Sequence, residues 1–237
     1  MAFFIKDTEV QLSKKSILEN GDGYTAFPNA ESATFDPDVL IPVGLLSGKN
    51  LKDQVEEDIL IALPNIQGTF DGEWPWITYS LTDKGWVLDE EYLEASEDKI
   101  EDSYVEYYNK AKAFFEENKF LSDNLKNENP NKDNQEKASL FELGGQPPLG
   151  QNWDSMMFDE MGDNPELDNY HEVMDEGEDE EVEHMSTREI TYFDEEFEKE
   201  FIYLGLFSYD TYVDGGGECI VFYQPELKKV MVVAEFS

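Results

Sequence analysis

Apolar and polar positions alternate along this chain in three distinct regimes. To about residue 88 the pattern is short and strand-like. Ile59–Leu63 is a compact apolar run closed by Pro64, which predicts a buried strand. The run Trp76 to Leu81 is β-branched and aromatic, Thr82-Asp83-Lys84-Gly85 carries turn chemistry, and Trp86-Val87-Leu88 resumes the apolar pattern. That succession predicts a hairpin. Residues 34–48, rich in Pro and Gly, read as loop with one strand.

From 89 to 119 the period changes. Ile100, Tyr104, Tyr107, Tyr108, Ala111, Phe114 and Phe115 recur at spacings of three and four, with charges on the other face. This predicts a long amphipathic helix over about 89–119, with Asp89 as its N-cap and the aromatic stripe facing the core. Residues 122–138 are polar and Asn-rich and read as a loop between two halves, about 1–120 and 139–237. The C-terminal pattern is β again. Phe201 to Tyr209, Ile220 to Tyr223 and Val230 to Phe236, separated by turn residues, predict an antiparallel meander. Its last two strands are apolar almost throughout, so both their faces are expected to be covered. The expected fold is α+β in a single domain over 1–237, mainly antiparallel sheet with one long helix.

Charge alters what this fold is expected to do. The chain has 55 Asp+Glu against 17 Lys+Arg, a net charge of −38, and Arg188 is its single arginine. Binding to nucleic acid requires phosphates to be neutralised by Lys and Arg, and anionic membranes require the same. Neither is expected here. A field of this sign favours a cationic partner. The acids concentrate in an insertion at about 159–200. Residues 154–200 hold 20 Asp+Glu, and Glu172 to Glu183 has eight acids in twelve positions. Aromatics and methionines lie among them. The candidate partner-binding residues are Trp153, Phe158 and Tyr170 as anchors, with Glu176, Glu178, Asp179, Glu180, Glu181 and Glu183 as the charged surface. Tyr192 and Phe193 are further aromatics beside them.

Motifs for catalysis are wanting. The chain has no G-x-S-x-G elbow, no phosphate-binding G-x-x-x-x-G-K-[ST] loop and no H-E-x-x-H. His171 and His184 are thirteen residues apart, too far for a local zinc site without thiolates. The acids do not fit the calcium-loop spacing, though Asp210, Asp214 and Glu218 are placed to converge at a turn. No catalytic residue, cofactor or metal is therefore assigned, and a carboxylate-rich calcium protein or enzyme stays as the alternative, beside a solubility-adapted structural protein. Cys219 is a single cysteine, expected as a small buried thiol. The glycine pairs at Gly144-Gly145 and Gly215 to Gly217 read as turns. The N-terminus lacks the pattern of a secretory signal and no apolar run reaches 18 residues, so a cytoplasmic protein is expected.

The segment SLFELGGQPPLGQ, followed by FIYLGLFSYD and the ending GGGECIVFYQPELKKVMVVAEF, resembles the YwqG-like family of bacterial proteins. The positions that carry the resemblance are Gly144, Gly145, Pro147 and Gln151, then Phe222 and Tyr223, within residues 139–237. The acidic insertion departs from a minimal member. Proteins similar to this family occur as immunity partners of toxins delivered by contact-dependent or type VI secretion. The resemblance implies an immunity protein, monomeric or weakly dimeric, that neutralises a cognate toxin with a basic surface.

Overall fold

The structure is a computed structural model that describes residues 2–8, 12–21, 23–51, 55–66, 76–92, 102–122, 137–148, 153, 187–193, 198–213 and 216–235. The fold is α+β and dominated by antiparallel sheet. Its main sheet has nine strands. Seven run in the order β1 (Ala2–Thr8), β11 (Thr187–Phe193), β12 (Glu198–Ser208), β13 (Glu218–Gln224), β14 (Lys229–Glu235), β6 (Ile77–Thr82) and β7 (Gly85–Leu88). The other two, β10 (Phe141–Leu143) and β2 (Lys15–Ile17), branch from β12. Strands of both halves are thus neighbours: β1 pairs β11, β2 pairs β10, and β6 pairs β14. A second sheet has the order β3 (Tyr24–Ala26), β4 (Leu40–Ser47) and β5 (Asp58–Pro64). Between the helix α1 (Asp102–Asn118) and β10 lie the two-residue partners β8 (Leu121–Ser122) and β9 (Lys137–Ala138).

The strand pattern of the sequence holds where it is densest. Ile59 to Leu63 is the interior of β5, with all five residues fully buried. The predicted hairpin is β6–β7, closed at Asp83-Lys84, with Gly85 at φ 98°. The meander is β12–β13–β14. Its last two strands are covered on both faces. Cys219, Val221, Tyr223, Val230 and Val232 belong to the main hydrophobic core, whereas Ile220, Phe222, Met231 and Val233 are equally buried but outside that cluster. Trp153 and Tyr203 stack against Phe222 on this second face, with ring centroids 5.9 and 5.5 Å away.

Several expectations need correction. The described helix runs from Asp102 to Asn118, and residues 90–92 form a separate 3₁₀ turn; Ile100 lies outside the described residues. Asp89 does not cap α1. Its carboxylate accepts the hydroxyls of Thr78 and Ser80 and pairs with Lys229 Nζ at 2.6 Å, so it ties β6 to β14. Of the aromatic stripe, Tyr108, Ala111 and Phe115 are buried and Tyr104 and Phe114 are half-buried against the core. The helix stops at Lys119, which takes a left-handed φ of 67° while its N–H donates to Phe115 O at 2.7 Å. Strand β12 ends one residue before Tyr209, which instead starts a short helix, α2 (Tyr209–Tyr212). Part of the acidic insertion at about 159–200 is strand. Thr187–Phe193 and Glu198–Glu200 are sheet, with Ala2 opposite Phe193 and Ile190 opposite Phe201. Glu189, Glu198 and Glu200 are therefore strand residues.

Three devices join the two sheets and the helix. Pro42 sits beside a bulge in β4, the kind of position a strand proline tolerates because it has no N–H for the ladder. Its carbonyl accepts the Tyr108 hydroxyl at 2.7 Å, which fixes α1 on β4. Tyr212 O–H donates to Leu140 O at 2.6 Å, which fixes α2 on the loop before β10. Gly44 has no side chain because Tyr24 lies over it; a Cβ there would stand 2.0 Å from the phenol oxygen. Phe27 then joins these aromatics, with Tyr108, Phe115 and Tyr212 all within 5.5 Å of its ring centroid.

Candidate functional site

Of the residues assigned to partner binding, Phe158, Tyr170, Glu176, Glu178, Asp179, Glu180, Glu181 and Glu183 lie outside the described residues, as do His171, His184 and Gln151. Tyr192 and Phe193 are in β11. Trp153 is described, and it is not a surface anchor. Only 1% of it is exposed. Its N–H donates to the Glu235 carboxylate at 2.7 Å and its indole N–H to Pro148 O at 2.7 Å. An aromatic ring among acids reads as an interface residue in sequence, but here it packs against Phe222. The Gly144-Gly145 turn is likewise structural. Gly144 N–H donates to Leu204 O, Gly145 N–H to Leu12 O, and a Cβ on Gly144 would stand 2.6 Å from the Leu12 carbonyl.

The acids that the structure does bring together are others. Glu142 on β10, Asp210 on α2 and Glu218 on β13 line one recess of about 330 Å³. The sheet places the first and last of them. Glu142 is opposite Leu206, Leu206 opposite Ile220, and Ser208 opposite Glu218, so they fall on one face of three adjacent strands. Strand β12 then turns into α2, which carries Asp210 and Thr211 to the rim. Hydroxyls of Ser122, Ser139, Ser208 and Thr211 complete the wall. Among the described residues no lysine or arginine lines it. The Ser139 Oγ atom is buried and has no hydrogen-bond partner among the described residues.

The electrostatics of this recess are those of a site short of positive charge. Burial, then the neighbouring carboxylates of Glu235 and Glu142, hold the Glu218 carboxyl above its ordinary value. Glu142 is steadied from outside by Ser16, whose Oγ lies 2.7 Å from both carboxylate oxygens. Among the described residues no group of three or more His, Cys, Asp or Glu side chains is arranged to hold a metal ion. The recess suits a cation that brings its own donors, an ammonium or guanidinium head that can donate to the carboxylates and hydroxyls of the lining. In the sequence Asp210, Asp214 and Glu218 lie near one turn, and of these Asp214 is outside the described residues; Glu142, 68 or more positions away, is brought to the recess only by strand pairing.

The remaining buried titratable groups are structural. Cys219 is buried and burial pushes its thiol far up, so it is not a nucleophile. Among the described residues no helix is long and apolar enough to cross a membrane. No protein-family model, curated protein or solved structure matches the chain.

Proposed function

We propose that this protein is an inhibitor of the immunity type, which neutralises a cognate toxin by binding a basic surface on it. One observation carries the reading: Glu142, Asp210 and Glu218 line a common recess whose described lining includes no Lys or Arg. A lysine or arginine of the partner that enters this recess offsets the burial and the neighbouring carboxylates that raise Glu218, and it donates charge-assisted hydrogen bonds to the carboxylates. The net charge of −38 works at longer range. It speeds encounter with a basic protein and disfavours nucleic acid, the competing polyanion. The resemblance of residues 139–237 to YwqG-like proteins points the same way. The cytoplasm, where such a toxin would act, is the matching compartment.

The test uses the protein encoded by the neighbouring reading frame. Cells that express it should be protected by this chain, and the purified pair should bind. Glu142→Gln with Glu218→Gln should weaken binding by about tenfold or more, the scale of losing a desolvated charge pair, and should flatten its salt dependence. Absence of protection and of binding would sink the reading. Full binding by the double variant would move the interface off the recess.

A further inference from the structure

Strands β13 and β14 bring two glutamates into direct opposition. Glu218 begins β13 and Glu235 ends β14, and the register sets each opposite the other. Residues directly opposite in an antiparallel pair share a face, with Cβ atoms about 4.5–5.5 Å apart, and like charges there are unfavourable. The face is the second one of the meander, where Ile220, Phe222, Met231 and Val233 are buried. The two carboxylates differ in their access to water. Glu235 is 2% exposed, whereas Glu218 is half-buried and lines the acidic recess.

Glu235 also holds Trp153. Its carboxylate accepts the Trp153 backbone N–H at 2.7 Å, while the Trp153 ring lies against Phe222 on the same face. That bond is charge-assisted while Glu235 is ionised, so a proton shared by the pair belongs on Glu218. The groups around Glu218 favour this placement. Glu142 on β10 and Asp210 on α2 line the same recess, Ser208 on β12 is opposite Glu218, and Tyr203 lies further along β12 with its phenol neutral. Among the described residues the recess lining includes no lysine or arginine. Burial, then the carboxylates of Glu235 and Glu142, hold Glu218 above the ordinary glutamate value.

We propose that Glu218 and Glu235 form a proton-sensitive latch: with one proton between them Trp153 stays bonded to Glu235, and with both ionised Glu235 turns toward water and releases the Trp153 N–H. The released proton goes to solvent. Two like charges in opposition are relieved when both reach water. Glu218 already does so through the recess, whereas Glu235 can do so only by giving up Trp153. The sign follows from Glu218, which is raised in the folded state. Its contribution is fully present below the unfolded value, about 4.3, and is lost as pH rises through the folded value. The latch is therefore firm in mild acid and looser above it. Trp153 stands shortly before the acidic insertion in the sequence, so this proton sets how firmly the chain is held to the sheet ahead of its densest charge. The device belongs to the free protein and does not depend on the toxin reading.

The test is hydrogen exchange of the full chain, without partner, from about pH 4.5 to about pH 8, a span that brackets a raised glutamate. The readout is the protection factor of the Trp153 N–H divided by that of Val221, a buried residue on the other face of β13. The ratio removes both the intrinsic pH dependence of exchange and any change in global stability. It should fall with rising pH by up to about fivefold, the scale of one cross-strand charge pair. Glu218→Gln should hold the ratio at its acid value throughout. Glu235→Gln keeps an acceptor for Trp153 and should do the same, which supplies a second variant should the first fail to fold. In the parent chain, carboxyl carbon shifts of Glu218 and Glu235 should move together, as coupled groups do. Trp153 protection that changes in step with Val221, a pH dependence that survives in either folded variant, or independent titration of the two carboxyls would each overturn the proposal.

Discussion

Tyr79 on β6 accepts the backbone N–H of Ala62 on β5, at 2.9 Å. The same hydroxyl donates to Leu60 O at 2.9 Å. The phenol therefore occupies the place of a neighbouring strand: it satisfies one donor and one acceptor on the edge of β5 where the main sheet meets the small one. Edge groups buried without partners are costly, and a tyrosine that both accepts and donates removes two of them at once.

Tyr79→Phe keeps the ring and its edge-to-face contact with Trp86 but deletes both bonds. It should cost about 1–3 kcal/mol for each group left unsatisfied. Urea denaturation of the variant against the parent measures it. An unchanged midpoint would mean that water reaches β5 at this point.

Trp153 makes a second, separable prediction. Because it fills the second face of the meander, Trp153→Ala should destabilise the fold by about 3–5 kcal/mol, the range for large aromatic deletions in a core. Thermal or urea unfolding followed by circular dichroism gives the value. A loss below about 1 kcal/mol would return Trp153 to the surface role that its acidic neighbourhood suggests.

Gly205 offers a backbone test. It sits at the β12 bulge with φ 148°, and a Cβ there would stand 2.1 Å from Glu142 O and 2.8 Å from the Phe141 ring. Gly205→Ala should break the β10–β12 pairing and with it the recess. The expected readout is loss of stability together with faster hydrogen exchange at Leu143. An alanine variant as stable as the parent would show that β10 can shift to make room.

The tyrosines fix the alkaline limit of stability. Burial raises Tyr24, Tyr79, Tyr108, Tyr203, Tyr209, Tyr212 and Tyr223 above the ordinary phenol value. The folded state therefore holds these protons more tightly than the unfolded chain, whose tyrosines titrate near 10. Their contribution is fully present below about pH 10 and is lost as pH rises above it. Absorbance of tyrosinate should appear in two steps: exposed residues first, then the buried set together with loss of circular dichroism. A single smooth titration near 10 without unfolding would contradict the burial.

The elements legible in the sequence are those whose signal is local. The run 59–63, the hairpin at 82–85 and the three strands of the meander each carry their own pattern within about eight residues, and the sheet-dominated fold class follows from them. What escaped was set by partners distant in the chain. Asp89 looks like a cap because Ser, Thr, Asp and Asn favour that place, yet Lys229 is 140 positions on and only strand pairing brings it near. Trp153 was read by its acidic neighbours in sequence rather than by Phe222 in space. The recess failed to show for the same reason, since its carboxylates come from three separate elements. Glu218 and Glu235 carried no signal as a pair, because their opposition is a property of strand register.

The pairing of β1 with β11 sets the order in which a newly made chain can complete itself. Ala2 is opposite Phe193, so β1 leaves the ribosome without its partner until about 190 further residues have been translated. At ordinary elongation rates of about 5–20 residues per second, Ala2-Phe3-Phe4-Ile5 waits roughly 10–40 s beside a growing polyanion. The small sheet β3–β5, whose strands are close in sequence, has everything it needs long before. Strands β13 and β14, which follow β12 in the chain, enter the middle of the sheet rather than its edge. Closure of the main sheet therefore waits on strands far apart in the chain, and a translation product truncated before β11 would display β1 to any chaperone or aggregate within reach.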